Sequence, residues 1–204
     1  MSWLRDSIIA GRLQPGEQLK LVDLAQQAGL STTPVREALS RLREEGFVDG
    51  DSHRTFRVAA LGLDEIRDYY TIHALLSGVL AERAATALTA VKLEELRAID
   101  SQMRDRSAAG DSAAVDDLNF KFHRIINDSG ATDVMRRFVR MTTRLVSRRG
   151  FPDVDGWSHA IDDHAAILEA LESRDADKAR DAMQRHIMNV GQGLLDDLRA
   201  RGWR

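Results

Sequence analysis

The chain has 204 residues, of which 43% are apolar and 30% charged, the composition of an ordinary soluble globular protein. Lys and Arg total 29 and Asp and Glu total 32, so the net charge of -3 excludes a uniformly basic protein that wraps nucleic acid. The absence of cysteine excludes disulfides, thiolate metal sites and a cysteine nucleophile, and favours the cytoplasm. No apolar run predicts a membrane span or a signal peptide.

Two regions of the chain have different patterns. Glycine and proline interrupt the first 60 residues, whereas long segments with a 3.6-residue apolar period follow. The sequence predicts a mainly α protein whose domains are residues 1–60 and 61–204, with the boundary between Ala59 and Gly62. We expect the second domain to be an all-helical bundle.

The first region has the spacing of a helix-turn-helix. Trp3–Ala10 and Leu21–Ala28 have the apolar positions of short helices, and Gly29 permits a turn after the second. A third helix is predicted with Thr33 as its N-cap and with its end at Gly46. Helix, glycine turn and helix in this order are typical of DNA-binding folds, although a small structural subdomain has the same pattern.

The segments around the third helix complete a winged helix-turn-helix. Phe47–Val48 and Phe56–Val58, joined by a polar loop, predict two strands of a β-wing. The outward face of the third helix, its hydroxyl-rich start and the wing carry groups that suit DNA bases and phosphates. We therefore predict these DNA-binding residues: Ser31, Thr32, Thr33, Arg36, Ser40, Arg43, His53 and Arg54.

Two strings in this region carry a family resemblance. G-x-L-x-P-G spans residues 11–16 and P-V-R-E-A-L spans residues 34–39. With their surroundings they resemble the GntR family of bacterial winged-helix repressors, and residues 61–204 resemble the effector-binding domain of its FadR subfamily, in the shorter version of about six helices. The resemblance implies a homodimer that binds an inverted-repeat operator in double-stranded DNA. It also implies a small metabolite, often a carboxylate, that alters DNA affinity.

The resemblance assigns individual residues in the first domain. Arg36 takes the position of the main base-reading arginine, and Ser31 and Thr33 take phosphate-contact positions. The chain departs from many relatives at three positions: Val22 and Thr32 replace arginines, and Thr55 replaces a wing-tip glycine. Because of these departures, the operator sequences of other family members cannot be assigned to this chain.

Histidines mark the second region. His123, with Asn119 one turn earlier, lies on the apolar face of a helix predicted near residues 116–128, and His164 and His186 lie on the apolar faces of two later helices. A single inward histidine is usually a core residue with a hydrogen-bond partner. Three from three helices, with one side-chain oxygen, suit a divalent transition metal, zinc above all.

The resemblance implies the same metal ligands. Family members of the metal-binding type have D-x-x-x-H on one helix and a histidine on each of two later helices, and Asn119, His123, His164 and His186 fall on those positions. Because Asn119 replaces an aspartate, we expect lower affinity for the metal or a different preferred ion.

A second departure concerns the effector. The family places an arginine and a glutamate four residues apart where this chain has His73 and Ser77. His73 is either a wall of the effector pocket or a core residue. Arg140 and Arg144, which share a helix face, are the other candidate contacts for an effector carboxylate.

The predicted function is a DNA-binding regulator, a repressor that a small organic acid controls. One alternative is a metal-dependent helical enzyme, but the sequence holds no H-E-x-x-H, G-x-S-x-G, P-loop or G-x-G-x-x-G motif. The other is a purely structural dimeric partner protein. The charged segment that contains Arg97, Asp100 and Arg104 is predicted to be a solvated helix with no role in a site.

Overall fold

The computed structural model describes residues 2–9, 12–13, 16–50, 55–59, 62–143, 157–200 and 202. The described residues form two compact units with the boundary between Gly62 and Leu63. Each unit has a buried apolar core of its own.

Three short helices form most of the first unit: α1 (Ser2–Ile9), α2 (Leu21–Ala28) and α3 (Thr32–Glu44). Gly29 follows α2 with φ 65°, a left-handed conformation that glycine adopts without a steric penalty. Its backbone N–H bonds to carbonyls in the last turn of α2. The predicted helix-turn-helix is therefore present, with the glycine turn where the sequence places it.

The start of α3 differs from the prediction. The N-cap is Ser31, with φ −77° and ψ 165°, and Thr33 is already inside the helix. Pro34 is the third helical residue, where a backbone N–H would have no acceptor within the helix. A proline is tolerated throughout this first turn, so it did not locate the cap to a single residue.

A small sheet completes the first unit. Its strands are β1 (Gln18–Leu19), β2 (Val48–Asp49) and β3 (Phe56–Val58), in the order β1-β3-β2 and antiparallel throughout. The predicted wing pairs as expected, but its first strand begins at Val48 and not at Phe47, and β1 was not predicted. Two residues are too few for a period-2 pattern to be recognised.

Apolar side chains from all three helices and the sheet make the core of this unit. Leu39 and Leu42 of α3 are fully buried, as are Phe47 and Phe56 beside the sheet. Arg5 on α1 forms an ion pair with Glu45 after α3. This pair and the core hold α1 against the end of α3.

The second unit is helical throughout its described residues. Its helices are α4 (Leu63–Ala87), α5 (Ala90–Ala108), α6 (Ser112–Gly130), α7 (Asp133–Thr143), α8 (Trp157–Glu172) and α9 (Ala176–Ala200). Side chains cap the N-termini of several of these helices: Thr89 accepts a hydrogen bond from the backbone N–H of Lys92, Asp111 accepts one from Ala114, and Asp175 accepts one from Lys178. The predicted all-helical bundle is confirmed.

The two longest helices, α4 and α9, pack closely against each other. Gly191 of α9 lies directly against the ring of Tyr70 on α4, which is buried. Helix α6 packs on α4 and α5, and α8 packs on α5 and α9. This arrangement brings the inner faces of α6, α8 and α9 into one core.

The loop between α8 and α9 stabilises the end of α4. The guanidinium of Arg174 donates hydrogen bonds to the backbone carbonyls of Ala85, Thr86 and Leu88 at 3.1–3.3 Å. These carbonyls belong to the last turn of the helix or follow it, where acceptors lack helical partners.

Among the described residues, no helix is both long and apolar enough to span a bilayer.

Candidate metal centre and nucleic-acid interface

Three histidines meet in the core of the helical unit. His123 of α6, His164 of α8 and His186 of α9 each offer a ring nitrogen, and these nitrogens all lie within 4.8 Å of one another. His164 and His186 are buried and His123 is partly buried. The convergence that the sequence predicted for these three residues is therefore present.

Ring contacts fix the orientation of the imidazoles. The ring of His164 stacks on Phe122, with centroids 4.3 Å apart and planes 8° from parallel. The rings of His123 and His186 stack with centroids 5.0 Å apart, and their Nε2 atoms are 3.1 Å apart. The nitrogens are held in place by packing before any ligand binds.

Two carboxylates lie behind the histidines. Oδ1 of Asp100 is 3.5 Å from Nδ1 of His164, and Oδ2 of Asp163 is 3.7 Å from Nδ1 of His186. The prediction of a solvated Asp100 is wrong, because this side chain is buried. The signal was present: Leu96, Ile99, Asp100 and Met103 share one buried face of α5 at helical spacing.

The pKa values of His123 and His164 are lowered, so that these two imidazoles are neutral near pH 7. Burial lowers the pKa of His164 to about 4, although the nearby Asp100 opposes the shift. Burial and the neighbouring histidines also lower the pKa of His123 well below its ordinary value. Neutral imidazole is the form that coordinates metal ions.

One distance within the cluster matches the spacing of ligands around a divalent cation. Ligands on neighbouring corners of a zinc ion, with Zn–N bonds of about 2.0–2.1 Å, lie roughly 3.0–3.4 Å apart. The 3.1 Å between the Nε2 atoms of His123 and His186 falls in that range. Within the described residues, Nε2 of His164 is buried and has no hydrogen-bond partner, which an ion would supply.

The fourth predicted ligand, Asn119, lies on α6 one turn before His123 and is partly buried. Three nitrogens and one amide oxygen would complete a tetrahedral set, so an exogenous ligand would have to add a fifth position or replace the amide oxygen. None of these four side chains is a carboxylate, so none of them would offset the charge of the ion.

His73 lies on α4, and its ring is buried. Its Nδ1 is 2.8 Å from Oγ1 of Thr142 on α7, a residue that the sequence analysis did not select. Burial and the neighbouring His186 lower the pKa of His73 to about 4. His73 is thus a neutral side chain, hydrogen-bonded across two helices and close enough to His186 to affect its electrostatics.

The other two predicted effector contacts are less defined. Arg140 lies on α7, but its side chain is outside the described part of the structure, as is the whole of Arg144. Among the described residues, no lysine or arginine is buried.

The surface of α3 presents the predicted DNA contacts. Ser31, Thr32, Thr33 and Arg36 are exposed, and Ser40 and Arg43 are partly exposed. Nη1 of Arg43 donates to the carbonyl of Gly50, next to the wing, at 3.4 Å. The opposite face of α3 is buried through Val35, Ala38, Leu39 and Leu42. His53 and Arg54 lie outside the described residues.

Two family descriptions match separate parts of the chain. "Bacterial regulatory proteins, gntR family" matches residues 2–58, and "FCD domain" matches residues 68–189. The second range contains the three histidines, and the first contains all of α3.

Individual relatives agree with these matches. The chain is 25% identical to the HTH-type transcriptional repressor RspR of Escherichia coli, over 94% of this chain and 85% of the relative. It is 26% identical to a probable D-xylose utilization operon transcriptional repressor of Paenarthrobacter nicotinovorans, over 91% of this chain and 84% of that protein.

A solved structure, E. coli McbR/YncC, has the same fold. It superposes with a TM-score of 0.74 at 23% identity, and the alignment covers 96% of this chain and 94% of that one. The two family descriptions, which together match residues 2–58 and 68–189, place the chain with these proteins. It belongs to the GntR family of bacterial transcriptional regulators, with an FCD domain after its DNA-binding domain, and is a regulator and not an enzyme.

Proposed function

We propose that this regulator is a homodimeric repressor of an inverted-repeat operator, and that a small organic acid bound at a metal centre in the FCD domain controls its DNA affinity. The observation that carries the proposal is the convergence of His123, His164 and His186 in the domain that the FCD description matches. Three imidazoles whose nitrogens face one another would not improve the packing of a purely structural core.

Arg36 is the proposed base-reading residue. It is exposed on α3, opposite the buried stripe, and a guanidinium can donate two hydrogen bonds to guanine in the major groove. Exposed hydroxyls at the start of the same helix, on Ser31, Thr32 and Thr33, suit phosphate oxygens. Two copies of α3, about 34 Å apart, would occupy successive major grooves.

Exposed apolar side chains support the homodimer. Val134, Phe138 and Met141 lie on one face of α7 and are each more than half exposed. Ile72 and Leu75, on the adjoining helix α4, are also more than half exposed. Exposed apolar side chains grouped on a helix face often mark a protein–protein interface, and a second copy of the chain would cover them.

The proposed effector site adjoins the histidines. A divalent ion held by His123, His164, His186 and Asn119 would act as a Lewis acid that binds a carboxylate oxygen. Because no lysine or arginine is buried among the described residues, the ion would carry most of the charge that balances the acid. His73 is the proposed polar contact beside the ion, and Arg140 and Arg144 are further candidates.

Control of DNA binding requires two conformations of the dimer. An effector shifts operator affinity only as far as it binds one of these conformations more tightly than the other. The experiment is therefore to select bound fragments from a genomic DNA pool with the purified protein, at two salt concentrations, with added zinc and with a chelator.

Enrichment of an inverted repeat whose affinity falls steeply with salt would support the repressor. Dependence of that affinity on organic acids only in the zinc-loaded protein would support the metal-linked effector site. Metal analysis that finds no bound ion, together with unchanged DNA and acid binding after chelation, would contradict the metal centre.

A further inference from the structure

We infer that Asp100 and Asp163 are positioning residues for the proposed metal centre: each holds one histidine ring so that Nε2 faces the cation. The inference rests on the proposed function, because it assumes that the three histidines bind an ion. It goes further in assigning a role to two carboxylates that lie behind the ligands.

Asp100 is anchored by Arg104 and lies next to the ring of His164. Oδ2 accepts a hydrogen bond from Nε of Arg104 at 3.0 Å, and Oδ1 lies 3.5 Å from Nδ1 of His164. Burial alone would raise the pKa of Asp100, but the pairing with His164 and Arg104 outweighs it and lowers that pKa. As a carboxylate, Asp100 can only act as a hydrogen-bond acceptor towards the ring N–H.

Arg104 connects this carboxylate to the helix of the histidine. It also donates to Oδ1 of Asp162 and to the backbone carbonyl of Ile161, both at 3.1 Å. Arg104 and Asp100 belong to α5, whereas Asp162, Ile161 and His164 belong to α8. The position of Asp100 relative to His164 is thus fixed by contacts independent of the ring itself.

Asp163 is held in a comparable way between α8 and α9. Its Oδ2 accepts a hydrogen bond from Nδ2 of Asn189 at 2.9 Å and lies 3.7 Å from Nδ1 of His186. His186 and Asn189 are three residues apart on α9, so the contacts lie on the same side of that helix. The pKa of Asp163 is lowered, with the pairing to His186 as the largest cause.

The chemical consequence concerns the tautomer of each ring. A carboxylate next to Nδ1 favours the form with a proton on Nδ1, which leaves the lone pair on Nε2. In the metal-free protein, Nε2 of His186 then accepts a hydrogen bond from Nε2–H of His123 across the observed 3.1 Å. Coordination of a cation through both Nε2 atoms would require that proton to move to Nδ1 of His123, so that the ring stays a neutral imidazole.

The two carboxylates also provide charge that the direct ligands lack. Three neutral imidazoles and the amide of Asn119 leave the full charge of a divalent ion uncompensated in the first shell. Asp100 and Asp163 together carry two negative charges one ring width away. This arrangement lets a neutral ligand set retain a divalent ion in a largely buried place.

Zinc affinity of the full-length protein tests the inference, measured by competition with a chromophoric chelator. Asp100→Asn and Asp163→Asn are each expected to weaken zinc binding about 10- to 100-fold. Asp100→Leu should weaken it further, because leucine removes the acceptor oxygen that asparagine retains. Asp105→Asn is the matched control: Asp105 lies on the same helix as Asp100 but is exposed, and the zinc affinity of this variant should equal that of the wild type.

The histidine tautomers give a readout that needs no metal. In long-range ¹H–¹⁵N spectra of the metal-free wild type, His164 and His186 should carry their protons on Nδ1. Asp163→Asn should shift the population of His186 while that of His164 stays as it was. A merely structural role would leave both tautomers unchanged in a variant that folds, and circular dichroism establishes folding for each.

The two failures are distinguishable. A wild type that binds no zinc would overturn the proposed metal centre. Zinc binding by the wild type with unchanged affinity in the Asp100 and Asp163 variants would overturn only the role of the carboxylates. Protons on Nε2 of both His164 and His186 in the metal-free wild type would overturn it as well.

Discussion

His73 shows how one ionisable side chain is accommodated in a helical core. Its ring is 5% exposed and its Nδ1 bonds to Thr142, whose hydroxyl is also 3.0 Å from the carbonyl of Val139. The hydroxyl can donate to the carbonyl and accept from the ring, so that both groups are satisfied without a charge. At low pH this arrangement lowers the stability of the fold, because the buried ring accepts a proton only with difficulty.

The pH dependence of stability therefore has a definite sign. The pKa of His73 is near 6.5 when unfolded and about 4 when folded, so between these values the unfolded chain binds more protons. The free energy of unfolding should be highest above pH 6.5 and fall by roughly 3 kcal/mol for this group towards pH 4. Urea unfolding of the chelator-treated protein at several pH values measures it. His73→Gln, which cannot titrate, should have a flatter profile, and equal slopes would contradict this account.

Arg36 is expected to be the largest single contributor to operator specificity. Arg36→Ala should weaken operator binding by about 1–3 kcal/mol and relax the base preference at one position in each half-site. Fluorescence anisotropy on the selected operator and on single-base variants measures both effects.

Arg41→Ala is the matched control, because Arg41 is exposed on the same helix but lies outside the face of Arg36 and Ser40. It should change affinity less and leave the base preference intact. Retention of the full preference in Arg36→Ala would remove Arg36 from the base-reading residues.

At the scale of helices, α4 and α9 approach each other closely at one glycine of the FCD domain. A Cβ added at Gly191 would lie 2.5 Å from Cγ of the buried Tyr70, whereas one added at Gly193 would meet nothing within 4 Å. Gly191→Ala should lower the free energy of unfolding by about 1–3 kcal/mol, because neither the ring nor the helix can move aside easily.

Gly193→Ala on the same helix supplies the comparison. It should raise stability by about 0.5–1 kcal/mol, since alanine has the higher helix propensity and no clash arises. Urea unfolding of both variants at pH 7 checks the pair. Equal effects of the two substitutions would show that the contact with Tyr70 is not tight.

Helical periodicity predicted the inward faces of the bundle but not the connections between helices. His123, His164 and His186 each share a face with buried apolar residues, so their direction followed from the spacing alone. Asp100 was missed because the many charges of α5 drew attention away from its apolar face, and because the partner His164 is 64 positions away. Thr142 was missed because no sequence pattern indicates which residue a hydroxyl near the end of a helix will contact.

The winged domain was predictable for a different reason. Glycine and proline marked the ends of its short elements, and Gly29 adopts the positive φ that the predicted turn needs. The cap of α3 was misplaced because Ser31, Thr32 and Thr33 are all good capping residues. Local chemistry there fixes the presence of the helix but not its first residue.

At the scale of the whole molecule, the apolar face of α7 predicts the association state. The wild type should have twice the chain mass of 22.8 kDa in size-exclusion chromatography with light scattering. Phe138→Asp should give the monomer mass and weaken operator binding, because a charge would be buried without a partner at the interface.

Val91→Asp controls for the added charge. Val91 is 77% exposed on α5, a helix outside the proposed interface, and its variant should remain dimeric. A dimer that persists in Phe138→Asp would place the interface elsewhere.

The three histidines have one more consequence, because they come from helices that begin at residues 112, 157 and 176. They meet only after those helices have docked, so a cation bound there recognises the folded chain alone and raises the folded fraction with its own free concentration. Proteases remove unfolded copies, and a metal-starved cell would then hold fewer molecules of this regulator. Scarcity of the ion would relieve the target promoter through protein turnover, without any effector.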